Sequence, residues 1–201
     1  MKRSTFVRSA ALALAVPLAV LPLGAAAADQ PAVPAQPASS PSPAAPYDDP
    51  AMHFAPPAGW ERIDLRDAPP AADEDAPKTV ALYVKDRNEA SRKTIVIEIG
   101  PFRGSLDDLA SVHESDLRKK FDGVFIDRKA RVVLANGMPA WWLRASYGSQ
   151  LGHVYERYEY VVFDGRRSIV TAFTARLGEG GEKDAHAALD ALSVVLYPRG
   201  R

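Results

Sequence analysis

Two hairpin dipeptides constrain the fold of this chain most strongly. Asn136-Gly137 and Asp164-Gly165 each stand between runs rich in β-branched and aromatic residues. Such dipeptides are typical of two-residue turns between antiparallel strands, because their residues accept positive φ angles. Earlier alternating or β-branched runs predict further strands. About six or seven strands are predicted. Six of them lie over about 79–85, 94–102, 126–135, 139–147, 153–163 and 167–177, and shorter extended pieces lie over about 52–55 and 60–65.

Two helices accompany these strands. Ser105, followed three residues later by Asp108, is a variant of the capping box and predicts a helix that runs to about Phe121. The glycines of the 178–181 segment precede a second predicted helix, from about Glu182 to Ser193. Hairpins combined with a few helices predict an α+β domain in which helices pack on an antiparallel sheet.

The first 28 residues have the pattern of a secretory signal peptide. Lys2, Arg3 and Arg8 precede an apolar run over 10–23, and small residues that end at Ala28 supply an A-x-A cleavage pattern. The apolar run is shorter than the roughly 20 residues that a membrane-spanning helix needs. We therefore expect a periplasmic or secreted protein with no transmembrane segment after cleavage. An uncleaved membrane anchor is the alternative.

A proline-rich spacer follows the predicted signal peptide. Fourteen of the sixteen residues from Pro31 to Pro46 are Pro, Ala or Ser, and none is charged. Such a segment cannot bury enough apolar surface to offset the entropy lost on ordering. Residues 29–46 are therefore predicted to be a disordered, semi-rigid spacer. The folded domain is predicted over 47–201.

Charge and cysteine content exclude several classes of protein. The chain has 25 Lys and Arg against 25 Asp and Glu, which argues against a nucleic-acid partner bound through a broad basic surface. Removal of the signal peptide leaves 22 basic against 25 acidic residues, a net charge of −3. The absence of cysteine excludes disulfides, a catalytic thiol, a four-cysteine zinc site and a lipid-modified cysteine.

Four short motifs, in this order, resemble the PsbP-like (PsbP/DcrB-like) fold family, in particular its bacterial envelope members. They are Phe54-x-x-Pro57-x-Gly59-Trp60, Ser105-Leu106-Asp107-x-Leu109, Asn136-Gly137-x-Pro139-Ala140 and Leu189-x-x-Leu192. The resemblance covers about 47–196. It implies an antiparallel sheet sandwiched by helices (α/β/α) and an accessory or binding role. It brings no family-wide catalytic residues.

Aromatic residues are concentrated on the strands that follow the first hairpin dipeptide. Adjacent strand residues point to opposite faces, so Trp141 and Trp142 are separated, whereas Tyr158 and Tyr160 share a face. These side chains form either the core or, where helices leave the sheet open, a binding surface for a protein or glycan. The candidate binding surface comprises Trp141, Trp142, Arg144, Tyr155, Arg157, Tyr158 and Tyr160.

The histidines do not form a recognisable catalytic or metal-binding pattern. His113 lies on the apolar stripe of the first helix, as a core histidine or as a ligand or general base. His153 and Glu156 are three apart on a strand and so face opposite sides. His53 and His186 are distant in sequence. A zinc site needs three or four convergent ligands, so no metal, cofactor or catalytic residue is predicted.

Three loops invite functional comparison. The loop around Ser149 lacks the G-x-S-x-G spacing of a nucleophile elbow and is predicted to be a hairpin loop. The 178–181 glycines could hold an anion at a helix N-terminus, although they lack a P-loop Lys-Ser/Thr. An acidic loop could bind calcium or act in acid–base catalysis, or simply be solvated; its carboxylates are Asp64, Asp67, Asp73, Glu74 and Asp75.

From these observations we expect a non-enzymatic binding or accessory module of the bacterial envelope, with an envelope protein or a glycan as its partner. Two alternatives remain. One is a periplasmic hydrolase or metal-dependent enzyme that uses His113 or His153 with nearby carboxylates. The other is an inhibitor of a secreted enzyme, which would need only a suitable surface.

Overall fold

A computed structural model describes residues 44–66, 76–86, 92–149 and 151–197. These residues belong to one unit, Pro41–Arg201. The predicted signal peptide and residues 29–43 of the predicted spacer lie outside the described residues, as do four of the five carboxylates of the acidic loop.

Ten strands and two helices occur within the described residues. They are β1 (Tyr47–Asp49), β2 (Met52–Phe54), β3 (Glu61–Arg62), β4 (Lys78–Lys85), β5 (Lys93–Pro101), α1 (Leu106–Lys120), β6 (Phe125–Val133), β7 (Pro139–Gly148), β8 (Val154–Phe163), β9 (Arg167–Arg176), α2 (Glu182–Leu189) and β10 (Leu192–Val194). This exceeds the predicted six or seven strands, because β1 and β10 are too short to leave a clear alternating pattern; β3 lies within the extended piece predicted over 60–65.

The strands form two sheets in which neighbouring strands are antiparallel. The main sheet has the order β3-β4-β5-β9-β8-β7-β6, and a small sheet has the order β1-β2-β10. The predicted α+β class with an antiparallel sheet is therefore confirmed. The order also shows that β5 and β9, which are distant in sequence, pair along eight residues at the centre of the sheet.

Both predicted hairpins are present, although only the glycine of each dipeptide has a positive φ and the first loop has three residues, 135–137. The turns determine which face each following residue occupies. Gly137 and Gly165 have φ angles of 87° and 92°, values that favour glycine. In the second turn, the Asp164 carboxylate accepts hydrogen bonds from the backbone N–H groups of Arg166 and Arg167. A shift of one residue in either turn would exchange the core and solvent faces of the next strand.

Helix α1 begins and ends as the sequence predicts. The Ser105 hydroxyl accepts from the Asp108 backbone N–H, and the Asp108 carboxylate accepts from the Ser105 backbone N–H, which completes the capping box. Phe121 caps the C-terminus. Leu109, Ala110 and Leu117 are buried, as the apolar stripe requires.

Helix α2 ends earlier than predicted. The prediction that it continues to Ser193 is wrong, because the helix ends at Leu189 and 192–194 form β10, which pairs with β2. Leu192 and Val194 are two residues apart and both are buried, which an extended chain achieves and a helix does not. The pairing partner is distant in sequence, so local helix propensity gave the wrong answer here.

The two faces of the main sheet carry separate apolar clusters. On the face we call the α1 face, Leu109 of α1 packs with Leu143, Val161 and Val170. On the other, the α2 face, the α2 residues Ala185, Ala188 and Leu189 pack in a larger cluster that also contains residues of β2 and β10. Helix α1 contacts β7 and β8, whereas α2 contacts β8 and β9. No helix among the described residues has the length and apolarity needed to span a bilayer.

Candidate binding site

Strand alternation divides the seven residues of the candidate binding surface between the two faces. Trp142 lies opposite Tyr160, and Arg144 lies opposite Tyr158, in the β7–β8 pair. These four residues are on the α2 face. The other three, Trp141, Tyr155 and Arg157, are on the α1 face. The structure therefore does not bring the seven residues together on one surface.

Three of the four residues on the α2 face are part of the core. Trp142, Tyr158 and Tyr160 are buried, as the core interpretation of the aromatics requires. The Trp142 ring stacks on His186 with centroids 4.4 Å apart. The Tyr160 hydroxyl donates to Asp190 at 2.8 Å, and burial together with Asp190 raises the pKa of Tyr160. These contacts hold α2 on the sheet.

On the α1 face, the two aromatic members of the set are covered by their neighbours. Trp141 donates its indole N–H to Asp107 at 3.0 Å, and the Lys129 ammonium lies 5.1 Å from the centroid of its ring. Tyr155 stacks on Tyr147 at 5.7 Å. Both arrangements use the aromatic surface within the protein.

Arg144, together with the buried Tyr158, lines a cleft on the α2 face, beside the N-terminus of α2. We call it the α2 cleft. Its volume is about 520 Å³. One wall is the turn between β9 and α2, where Gly180 lies so close to the sheet that an added Cβ would be 3.1 Å from that of Ala175. The lining residues are Arg144, Glu156, Tyr158, Leu177, Gly178, Glu179, Gly180, Gly181, Glu182 and Asp184.

The floor of the α2 cleft combines a fixed cation with a neutral phenol. Arg144 donates to Glu156 at 2.7 Å, and its guanidinium also lies 3.5 Å from the Asp127 carboxylate. The hydrogen bond to Glu156 raises the pKa of Arg144. Burial and Glu156 raise the pKa of Tyr158, against the opposing effect of Arg144. Arg144 is therefore charged at neutral pH and Tyr158 is not.

Three exposed apolar side chains lie on the α2 face near the α2 cleft, and one of them, Leu177, also lines it. Phe125, Val154 and Leu177 are 64%, 42% and 56% exposed. Phe125 lies opposite Ser146, and the Leu177 backbone N–H donates to the carbonyl of Val154. All three side chains are on the α2 face at the same end of the sheet. We call them the apolar rim.

A buried ionic network lies on the α1 face. Glu159 is fully buried and accepts hydrogen bonds from Arg157, which is also buried, and from His113 Nε2 at 2.8 Å. Burial alone would raise the pKa of Glu159, but Arg157 and His113 lower it to about 2. The carboxylate is thus held ionised and satisfied by two partners within the protein.

The other histidines lie apart from this network. His53 pairs with Asp48 on exposed strands, and the backbone N–H of His153 donates to the Ser149 hydroxyl. No histidine lines the α2 cleft or a second cleft of about 330 Å³ formed by 62–65 and Val80. Within the described residues, no group of three or more His, Asp or Glu side chains converges as a metal site would require.

Two loops that the sequence singled out remain, the loop around Ser149 and the acidic loop. The loop around Ser149 is a hairpin loop between β7 and β8, as predicted, and Gly152 donates its N–H to the Ser149 carbonyl. Asp64 accepts hydrogen bonds from Arg66. Asp67, Asp73, Glu74 and Asp75 lie outside the described residues.

Sequence reasoning did not identify most of the residues that line the α2 cleft. Glu182 and Asp184 are in the first turn of α2, where acidic residues favour the helix dipole. Their position near Arg144 depends on the strand order β9-β8-β7, which the sequence does not specify. The one available signal was the group of glycines before α2, which marks the turn that forms the wall.

The similarity of this chain to known proteins is a similarity of fold. No protein-family model matches the chain, and no curated protein matches it. Among solved structures, a protein of Bacteroides thetaiotaomicron has a TM-score of 0.48 and 13% identity over 74% of this chain. This chain covers 47% of that protein, about half of its length.

Two further solved structures are similar to this chain. Cyanobacterial PsbP from Synechocystis has a TM-score of 0.45 and 13% identity, over 75% of this chain and 91% of that one. LpqN of Mycobacterium tuberculosis, described as involved in cell envelope biogenesis, has a TM-score of 0.45 and 15% identity, over 75% of this chain and 90% of that one. The solved structures similar to this chain thus include a PsbP protein, of the family that the sequence motifs resemble.

Proposed function

We propose that this domain is a non-enzymatic binding or accessory module of the bacterial envelope and that the α2 cleft holds its ligand. The observation that carries the proposal is the open cleft, which is lined by the charged Arg144 and the exposed Leu177 and lies on the same face and at the same end of the sheet as the exposed Phe125 and Val154. Its volume falls within the range of about 300–1,000 Å³ that is usual for ligand sites. Clustered exposed apolar side chains mark interaction sites more often than random surface.

The proposed location is the periplasm or the exterior of the cell, which the signal-peptide pattern of residues 1–28 supports. The finer architecture in this proposal is α/β/α, with α1 and α2 on opposite faces of the main sheet. Packing of Leu109 with Leu143 on one face and of Leu189 in the Trp142 cluster on the other supports this arrangement.

The hydrolase alternative has one observation in its favour, the hydrogen bond between His113 and Glu159. A general base needs such a partner within reach. However, Glu159 is fully buried and also bound to Arg157, and neither described cleft reaches His113. A panel of ester, peptide and glycan substrates tests it. Turnover that is abolished by His113→Ala, in a variant that remains folded, would replace the binding proposal.

Site-specific photo-crosslinking tests whether the α2 cleft is the binding site. A photoreactive residue in place of Phe125, Val154 or Leu177 should give the same crosslinked species in envelope extracts. Val133 provides a matched control, because it is 70% exposed on β6 and at the other end of that strand. Equal crosslinking from position 133, or none from the apolar rim, would contradict the proposal.

A further inference from the structure

We propose that the α2 cleft receives a lysine or arginine side chain from an extended segment of a partner protein, whose neighbouring apolar residues lie on the apolar rim. This inference rests on the proposed function and names the chemistry of its ligand. Three features of the structure support it: the negative charge of the cleft, the position of the apolar rim, and the pairing of Arg144 with carboxylates of the protein itself.

The cleft is negatively charged. Its lining contains four carboxylates, those of Glu156, Glu179, Glu182 and Asp184, against the single guanidinium of Arg144. The charged residues next to the cleft do not cancel this excess of negative charge. Arg128 pairs with Glu182, Lys93 is 4.0 Å from Asp184, and Asp127 adds a further carboxylate. Five acidic groups therefore face three basic ones, and a cation gains from entering.

The apolar rim suits an extended polypeptide better than a small cation. Phe125 is on the edge strand β6, and Leu177 follows directly after β9. Strands β7 and β8 lie between β6 and β9 in the sheet. The rim therefore extends across the end of the sheet. Alternate residues of an extended peptide are about 7 Å apart and point the same way. If the central basic residue of such a peptide enters the cleft, the peptide residues two positions to either side lie over the apolar rim.

Arg144 does not provide an anion site. Its guanidinium already pairs with Glu156 and Asp127, so an incoming carboxylate or phosphate would have to displace one of them. Glu182 and Asp184 also occupy the first turn of α2, where an anion would otherwise meet the positive end of the helix. An anionic ligand would meet like charges from both sides.

The probe is a blocked, fluorescein-labelled nonapeptide with a central Lys, Leu two positions to each side, and Ser or Gly elsewhere. Its binding to the full chain is measured by fluorescence polarisation at low salt. Matched peptides carry Glu in place of Lys, or Ser in place of both Leu residues. We expect the Lys peptide to bind, both matched peptides to bind at least about 10-fold more weakly, and added salt to weaken binding of the Lys peptide.

Two variants change the charge of the cleft in opposite directions. Arg144→Gln removes the only lining cation and should tighten binding of the Lys peptide by about 5-fold. The double variant Glu179→Gln/Asp184→Asn should weaken it by about 10-fold. Asp116→Asn, at an exposed residue of α1, provides the matched control and should change nothing. Circular dichroism confirms that each variant is folded.

The outcomes separate this inference from the proposed function. Tighter binding of the Glu peptide than of the Lys peptide, or weaker Lys-peptide binding in Arg144→Gln, would overturn the inference and indicate an anion site. Failure of every peptide would also overturn it. If photo-crosslinking from the apolar rim still succeeds in those cases, the binding module stands and only the chemistry of its ligand is wrong.

Discussion

The two faces of the main sheet differ in the solvent exposure of their central charged side chains. On the α1 face, the Glu159 side chain is 0% exposed and both of its oxygens are bound by protein groups. On the α2 face, the Arg144 side chain is 37% exposed in an open cleft. A buried charge must be satisfied within the protein, whereas a half-exposed one retains contact with solvent and ligands. The charges of the α1-face network are therefore paired within the protein, whereas the guanidinium of the α2 cleft is partly open to solvent.

The neighbouring tryptophans show the same difference. Trp142 is buried against Tyr160 and His186, and within the described residues its indole N–H has no hydrogen-bond partner. Trp141 is only partly buried and has Asp107 as its partner. One peptide bond separates a core residue from a surface residue, because side chains alternate along a strand.

The largest effect is expected from Trp142→Ala, which removes the ring between the sheet and α2. We expect it to lower the free energy of unfolding by about 3–5 kcal/mol, because the cavity forms in a packed cluster that cannot collapse. Urea unfolding followed by circular dichroism measures the change.

The matched control is Trp141→Ala, one residue away on the other face. It loses a hydrogen bond and two cation–π contacts, with Lys129 and Arg131, at a partly exposed site, which together contribute about 1–2 kcal/mol. Equal losses in the two variants would show that the faces do not differ in packing as described.

Glu159→Gln is the second prediction. The substitution keeps the shape of the side chain but leaves Arg157 as an uncompensated buried cation, which should cost about 3 kcal/mol of stability. The measurement is again urea unfolding at neutral pH. Glu114→Gln removes an exposed pairing with Arg118 and Lys129 and should cost less than about 1 kcal/mol. A small loss in Glu159→Gln would mean that water reaches the network.

The pH dependence of stability sharpens this second comparison. The pKa of Glu159 is about 2, below its ordinary value of 4.5, so the folded state binds a proton at that carboxyl less readily than the unfolded state. Its contribution is complete above a pH of about 4.5 and is lost as the pH falls toward about 2. The stability gap between the native chain and Glu159→Gln should therefore narrow across that window. A constant gap in urea unfolding would contradict the assignment.

Local signals were sufficient to predict much of the fold. The capping box at Ser105 and the dipeptides at Asn136 and Asp164 each depend on a few adjacent residues, and all three are present in the structure. Features that depend on distant pairing were not predictable. β10 forms because β2, far away in sequence, supplies its partner, and the sequence alone favoured a longer α2.

The site was predicted less completely than the fold, for a related reason. Alternation along a strand separates Arg144 and Tyr158 from Trp141 and Arg157, whereas the predicted surface grouped all four. Which face remains open depends on where α1 and α2 pack, and that is decided by long-range contacts. The aromatic residues were conspicuous in the sequence, yet most of them form the core. Two of the four carboxylates that line the cleft, those of Glu182 and Asp184, come from the first turn of a helix.

The smallest stability effect is expected from Leu177→Ser on the apolar rim. Because this side chain is 56% exposed, its removal should change the free energy of unfolding by no more than about 0.5 kcal/mol. Leu143→Ser, at a fully buried position on the α1 face, should instead destabilise the domain by more than about 3 kcal/mol. Leu177→Ser should nevertheless weaken crosslinking from Phe125 and binding of the Lys peptide. Loss of stability without loss of binding would make Leu177 part of the core, and the α2 cleft would then have no apolar wall to offer a partner.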